Sequence, residues 1–221
     1  VAVASFLGID DCSPESSSVQ YAVLPLPYER TVSYGAGTAD GPAAILRASL
    51  ELEDFDLELK KPVNIAVCTL PAPVFQETKP EDCLAGIQKL AAAEFRAGRF
   101  PVSLGGEHSL TAPLVRAARD QYQDLAVLHL DAHADLRDKY DGTEHSHACV
   151  MRRVTEMGIP LVSAGIRSYS AEEFNYMKQL GSQGNVLEAE LFFREPMNRC
   201  LDRISNVLSR ARYVYVSVDV D

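Results

Sequence analysis

The chain is poor in the features that would take it outside ordinary globular chemistry. Its five cysteines, Cys12, Cys68, Cys83, Cys149 and Cys200, are odd in number and widely scattered over 221 residues. No two form a Cys-x-x-Cys pair, which argues against a disulfide framework or zinc ribbon and for reduced thiols in a cytoplasmic protein. No run of about 18 apolar residues is available for a membrane helix, and no signal-peptide pattern opens the chain. Basic excess is lacking too. A formal charge of −10 argues against nucleic acid and anionic membrane surfaces as partners, since both require basic patches. The acidic balance serves solubility first and is compatible with a cationic substrate. There is no internal repeat, low-complexity tract or convincing linker, so a single domain over 1–221 is expected. Val1 rather than Met at the first position reads as a processed or trimmed chain.

What is present is an alternation of apolar strands and amphipathic helices. Hydrophobic residues make up 47% and charged residues 24%, ordinary values for a globular protein with a substantial core. Strands are expected at 21–26, 63–68, 100–104, 125–130, 161–165, 186–187 and 213–218. Helices are expected from Pro42, from Pro80 to a stop near Gly98, after His108 through Leu114, Val115 and Ala118, around 149–154, and near 171–180 and 197–211. This spacing implies crossover connections and a three-layer α/β/α fold with a mainly parallel sheet.

Three strand ends carry metal-ligand chemistry. All five histidines fall between His108 and His147. Asp131, His133 and Asp135 alternate at i, i+2, i+4 after the apolar run Leu125-Ala126-Val127-Leu128, a spacing that aims the three side chains to one side of an extended segment. Ligand-type residues at the carboxyl end of a buried strand lie where open α/β sheets build sites. Gly105-Gly106-Glu107-His108 ends a second strand, its glycines allowing a sharp turn that leaves His108 at the sheet mouth. Ser217-Val218-Asp219-Val220-Asp221 ends a third. Carboxylates of like charge so close together need a cation or a proton between them. Four carboxylates with two imidazoles make an oxygen-rich set suited to manganese rather than to structural zinc. His129, inside the strand, reads as a packed core histidine, Glu107 as a residue turned away from the metals, and Arg167 with Glu172 and Glu173 as structural.

These segments resemble the ureohydrolases, the family of arginase and agmatinase. The resemblance rests on Gly-Gly-Glu-His-Ser at 105–109, Leu-Asp-Ala-His-Ala-Asp at 130–135 and Ser-Val-Asp-Val-Asp at 217–221. Ser-Tyr-Gly-Ala-Gly-Thr-Ala-Asp-Gly-Pro at 33–42, Ser-His-Ala at 146–148 and Gly-Ile-Arg at 165–167 support it. It implies an arginase-like fold whose C-terminal part is missing after Asp221. It also implies two Mn²⁺ ions per subunit, shared among His108, Asp131, His133, Asp135, Asp219 and Asp221, and a metal-dependent amidine hydrolase that releases urea. The proton carrier would be His147, with His145 as its competitor. Agmatinase is the nearer likeness: where arginases place an asparagine two residues beyond the central motif, this chain has Arg137. The expected reaction is agmatine to putrescine and urea, a step of polyamine biosynthesis, in a homo-oligomer, trimer or hexamer. Guanidinobutyrate, arginine and formiminoglutamate stand as alternative substrates. A non-catalytic metal-binding protein of this fold, or an inactive fragment, is the alternative of another class. Asp138, Asp141 and Glu144 are candidates to favour a terminal ammonium, or else a solvated acidic loop.

Overall fold

A computed structural model describes residues 4–9, 19–181 and 184–220. The chain divides into two compact units, residues 1–107 and 108–221.

In the first unit, β1 (Tyr21–Leu26) is buried along nearly its whole length. After it come α1 (Gly41–Ala48), the short strands β2 (Phe55–Asp56) and β3 (Lys61–Pro62), then β4 (Val67–Thr69), α2 (Pro80–Arg96) and β5 (Phe100–Gly105). β1 pairs in parallel with β4 on one side and β5 on the other. The expected strand at 63–68 is displaced. Lys61–Pro62 pairs antiparallel with Phe55–Asp56 instead, and only Val67–Thr69 lies in register with Tyr21–Val23. α2 begins with Pro80, Glu81 and Asp82 in its first turn and ends before Gly98, whose φ is +76°. Its buried Leu84, Ile87, Ala91 and Phe95 recur at the three- and four-residue intervals of one helical face. At Gly106 a Cβ would lie 2.0 Å from the Tyr28 carbonyl oxygen, so only glycine fits this turn. Glu107 then anchors within the same unit, accepting hydrogen bonds from the backbone N–H groups of Arg30 and Thr31.

The thiols depart from expectation. Cys68 is disulfide-bonded, whereas Cys83, Cys149 and Cys200 are free. Sequence spacing registers only local pairs such as Cys-x-x-Cys, so a bond closed by the fold escapes it. The thiols therefore no longer argue for a cytoplasmic protein.

The second unit is built on a four-stranded parallel sheet. A short 3-10 helix (His108–Leu110) runs into α3 (Thr111–Gln121), followed by β6 (Leu125–Leu130), α4 (Val150–Glu156), β7 (Leu161–Ile166), α5 (Ala171–Leu180), β8 (Gly184–Glu188), α6 (Leu191–Arg194), α7 (Met197–Leu208) and β9 (Tyr213–Val218). The strand order is β8-β7-β6-β9. α7 buries Cys200 and Val207, with Ile204 and Leu208 beside them, against Val162, Ala164 and Leu187 of the sheet. Each such aliphatic side chain contributes about 1.5–3 kcal/mol when fully buried. Ser170 and Glu173 form a capping box at the start of α5, and Glu173 also accepts the Leu136 N–H at 3.0 Å. The structural reading of Glu173 is therefore borne out, and it ties α5 to the segment just past Asp135.

Candidate metal centre

β6 has β7 on one side and β9 on the other, so the strand order reverses at β6/β9, and open α/β sheets build sites at the carboxyl ends of such strands. Asp131 follows β6 and Asp219 follows β9. The Asp219 N–H bonds to the Leu130 carbonyl at 2.9 Å, and the Asp131 N–H to that of Ala164 at 3.2 Å. Both carboxylates are thus carried by the backbone ladder. Asp135, with φ +52°, occupies the left-handed region that aspartate tolerates better than most residues. Gly165, with φ +95°, lets the next strand approach closely: a Cβ there would meet the Asp131 carbonyl oxygen at 3.0 Å.

These placements converge on His108. Its Nδ1 lies 2.8 Å from Asp135 Oδ2, 3.2 Å from Asp131 Oδ2 and 3.4 Å from Asp219 Oδ2. Its Nε2 lies 2.9 Å from Ser217 Oγ, itself 2.9 Å from Thr111 Oγ1, which orients the ring with Nδ1 toward the acids. Burial works against charging this imidazole. The bonds to Asp131 and Asp135 and the charges of Asp135 and Asp219 outweigh it, and the pKa is pushed up to about 10. Burial likewise opposes the charge of Asp131, but the hydrogen bonds from His108 and His129 hold it well below the usual carboxylate range. A nitrogen ringed by three acids marks a place for positive charge. With one imidazole and three carboxylates the donor set fits a divalent cation with a preference for oxygen.

The other expected residues are placed differently. His133 is 52% exposed; its Nδ1 is 3.6 Å from Asp131 Oδ1, and its backbone N–H donates to the same oxygen at 2.7 Å. Asp221 lies outside the described residues. His147 opens a 3-10 helix (His147–Cys149) that packs against the one carrying His108. Its ring meets Tyr140 edge-on at 5.7 Å. His145 instead lies 3.9 Å from Glu144. Asp138 and Glu144, both about half-exposed, pair with Arg153 at 2.9 and 3.1 Å. Arg137 lies over the Tyr140 ring and reaches toward Glu173.

His129 is packed in the core as expected, but sequence reasoning missed its contact with Asp131. It sits on the same face of the strand as Asp131, two residues earlier, with Nε2 2.8 Å from Asp131 Oδ2. The shared parity was the available signal. His108, His129, Asp131 and Asp135 together offer ligand atoms within 4.8 Å of one another, all from buried residues.

A family model described as the arginase family matches residues 19–221. The chain belongs to this family. It is 37% identical over 200 residues to the N(1)-aminopropylagmatine ureohydrolase of Thermus thermophilus, covering 90% of this chain and 66% of that protein. To the agmatinase of Bacillus anthracis it is 33% identical over 214 residues, covering 94% of this chain and 70% of the relative. The chain therefore spans about two thirds of the length of these relatives. The agmatine ureohydrolase of Thermoplasma volcanium superposes with a TM-score of 0.81 at 25% identity, over 100% of this chain and 72% of that one. The parallel sheets are those of the arginase-like α/β fold. A buried histidine–aspartate cluster at the strand ends is what an arginase-family metal site requires.

Proposed function

We propose that this protein is a binuclear-manganese hydrolase of a guanidino compound that releases urea, and that its substrate is agmatine, cleaved to putrescine and urea. The observation that carries this reading is the convergence of Asp131, Asp135 and Asp219 on His108 Nδ1 in a chain of the arginase family. His108, Asp135, Asp131 and Asp219 would hold one ion. His133 and Asp221 would hold the other, with aspartates shared between the two. Bound there, the pair would supply hydroxide at neutral pH, because metal coordination lowers the pKa of water from about 15.7 toward 7.

The remaining work falls to the chain's own side chains. The departing amine needs a proton, and His147 is assigned to deliver it, an imidazole being the natural carrier near pH 7. Ser146 Oγ, 3.3 Å from His147 Nδ1, would steady the ring and leave Nε2 for the transfer. Arg137 occupies the position where arginases place asparagine, and its engagement with Tyr140 and Glu173 withholds it from a substrate carboxylate. This favours agmatine over arginine. A longer substrate, N(1)-aminopropylagmatine, is the second reading. It is favoured by a cavity of about 410 Å³ lined by Arg167, Ser168, Tyr169, Glu188 and Glu190. The cavity adjoins the metal segment, since the Arg167 and Ser168 N–H groups bond to the Ala132 carbonyl. A homo-oligomer, trimer or hexamer, belongs to the same reading.

Urea release from agmatine, N(1)-aminopropylagmatine, arginine and 4-guanidinobutyrate tests it. A site that hydrogen-bonds one substrate group rejects the analogue lacking it by ~10⁴–10⁵ in kcat/KM, so agmatine should stand clear of arginine. Preference for arginine or guanidinobutyrate would overturn the substrate and leave the hydrolysis chemistry standing.

A further inference from the structure

His129, Ser163 and Ser217 form a polar row across the middle of the second unit's sheet. His129 on β6 is in register with Ser163 on β7 and with Ser217 on β9. All three are buried, at 0%, 0% and 5% exposure. A polar row in an apolar sheet interior is costly unless every member is hydrogen-bonded, and each member is. Ser163 Oγ lies 3.0 Å from His129 Nδ1, and His129 Nε2 lies 2.8 Å from Asp131 Oδ2. Ser217 is engaged with His108 and Thr111.

We propose that His129 is a positioning residue for the cation site, resting on the metal-centre reading above: it donates its Nε2 proton to Asp131 and fixes the direction of that carboxylate. A carboxylate accepts only, so the bond to Asp131 requires the proton on Nε2. Nδ1 of the neutral ring is then an acceptor, and the Ser163 hydroxyl donates to it. The carboxylate thereby sets the tautomer, and the Ser163 hydroxyl, which can donate or accept, completes the ring's hydrogen bonding. Asp131 Oδ1 is held on its other side by the His133 N–H at 2.7 Å, so the two oxygens are pinned from opposite directions and free rotation of the carboxylate is removed.

The alternative is that His129 is itself a ligand. The surroundings of the two imidazoles decide against it. His108 Nδ1 faces Asp131, Asp135 and Asp219 together, whereas the bonds of His129 run to Asp131 and to Ser163 in the strand interior. His108 stands where the acids meet, and His129 stands behind one of them. Partners of this kind orient ligating carboxylates, and their loss typically weakens metal affinity about 10–100-fold.

The test is Mn²⁺ affinity of the metal-stripped protein, measured by calorimetry or by the Mn²⁺ electron paramagnetic resonance signal, with Tm recorded for each variant. His129→Phe should keep the packing, lose the donor and bind Mn²⁺ about 10–100-fold more weakly. His129→Gln places an amide N–H near the former Nε2 and is a poor substitute for an imidazole ligand, so it should recover most of the affinity. Ser163→Ala, which leaves the ring in place and removes its Nδ1 partner, should show a smaller loss. Wild-type affinity in folded His129→Phe would overturn the positioning role, as would a loss in His129→Gln equal to that in His129→Phe. Should His129→Phe fail to fold, His129→Gln decides alone: a loss beyond 10-fold would overturn it. Mn²⁺ binding by wild type without urea release from any guanidino compound would remove the proposed substrate and leave this test valid. No Mn²⁺ binding by wild type would overturn both.

Discussion

Glu107 offers the sharpest stability prediction, because its two plausible replacements should differ for a reason visible atom by atom. Its Oε2 accepts the backbone N–H groups of Arg30 and Thr31, the latter at 2.6 Å, and its Oε1 accepts the Thr31 hydroxyl at 2.8 Å. The residue is 3% exposed. Glu107→Ala deprives two backbone amides of their acceptor, each worth about 1–3 kcal/mol when left unsatisfied. The amides are only part-buried, so water recovers a share, and the net loss should be about 2–4 kcal/mol. Glu107→Gln is different. Its amide oxygen can take both backbone N–H groups, while its NH₂ donates to the Thr31 hydroxyl, which reverses its role. Only the charge is lost, and because charge-assisted hydrogen bonds are roughly twice as strong as neutral ones the cost should be about 1 kcal/mol. Urea unfolding gives both numbers, and amide exchange at Arg30 and Thr31 locates the effect. An alanine variant within ~0.5 kcal/mol of wild type, the usual range for inconsequential surface changes, would refute the reasoning. So would a glutamine variant as unstable as the alanine one.

Much of the fold was legible because buried parallel strands write themselves as apolar runs with punctuation. Leu125–Leu130 is of this kind, whereas Phe100–Gly105 forms its parallel strand while partly exposed. The apolar run at 63–68 misled: only its end, Val67 and Cys68, pairs in the parallel sheet, while the antiparallel pairing of Lys61–Pro62 precedes it, and composition alone does not mark which part pairs. The metal segment was legible in identity and less so in geometry. Alternation at i, i+2, i+4 holds while the chain stays extended, but β6 ends at Leu130 and Asp135 turns to a positive φ. Asp131 and Asp135 therefore converge, while the His133 side chain is half-exposed. Convergence of Asp219 on the same point depends on β9 lying beside β6, and that of His108 on the 3-10 helix that begins with it, neither of which a linear pattern can place. The loop acids are half-exposed, as a solvated acidic loop would be, but their partner was not legible. Arg153, which lies on α4 and not on the loop, takes up Asp138 and Glu144.

Two further predictions follow from the same contacts. Gly165→Ala should cost about 1–3 kcal/mol for its positive φ and weaken Mn²⁺ binding as well, since the added methyl presses on the Asp131 backbone at 3.0 Å; unchanged Tm and affinity would refute this. The last concerns pH in the metal-free protein. His108 is raised from 6.5 to about 10 in the folded state, so its pairing with the acids stabilises fully below its unfolded value and is lost as pH rises through about 10. Asp131 is lowered, so its contribution is present above its ordinary range and is lost on acidification. The urea midpoint of the metal-free protein should therefore fall between pH 7 and 10. Saturating Mn²⁺ should flatten that alkaline limb, because a cation takes the proton's place among the carboxylates and binds best when the imidazole is deprotonated. A metal-free midpoint that rises over this interval would show that the proton on His108 does not hold the three acids together.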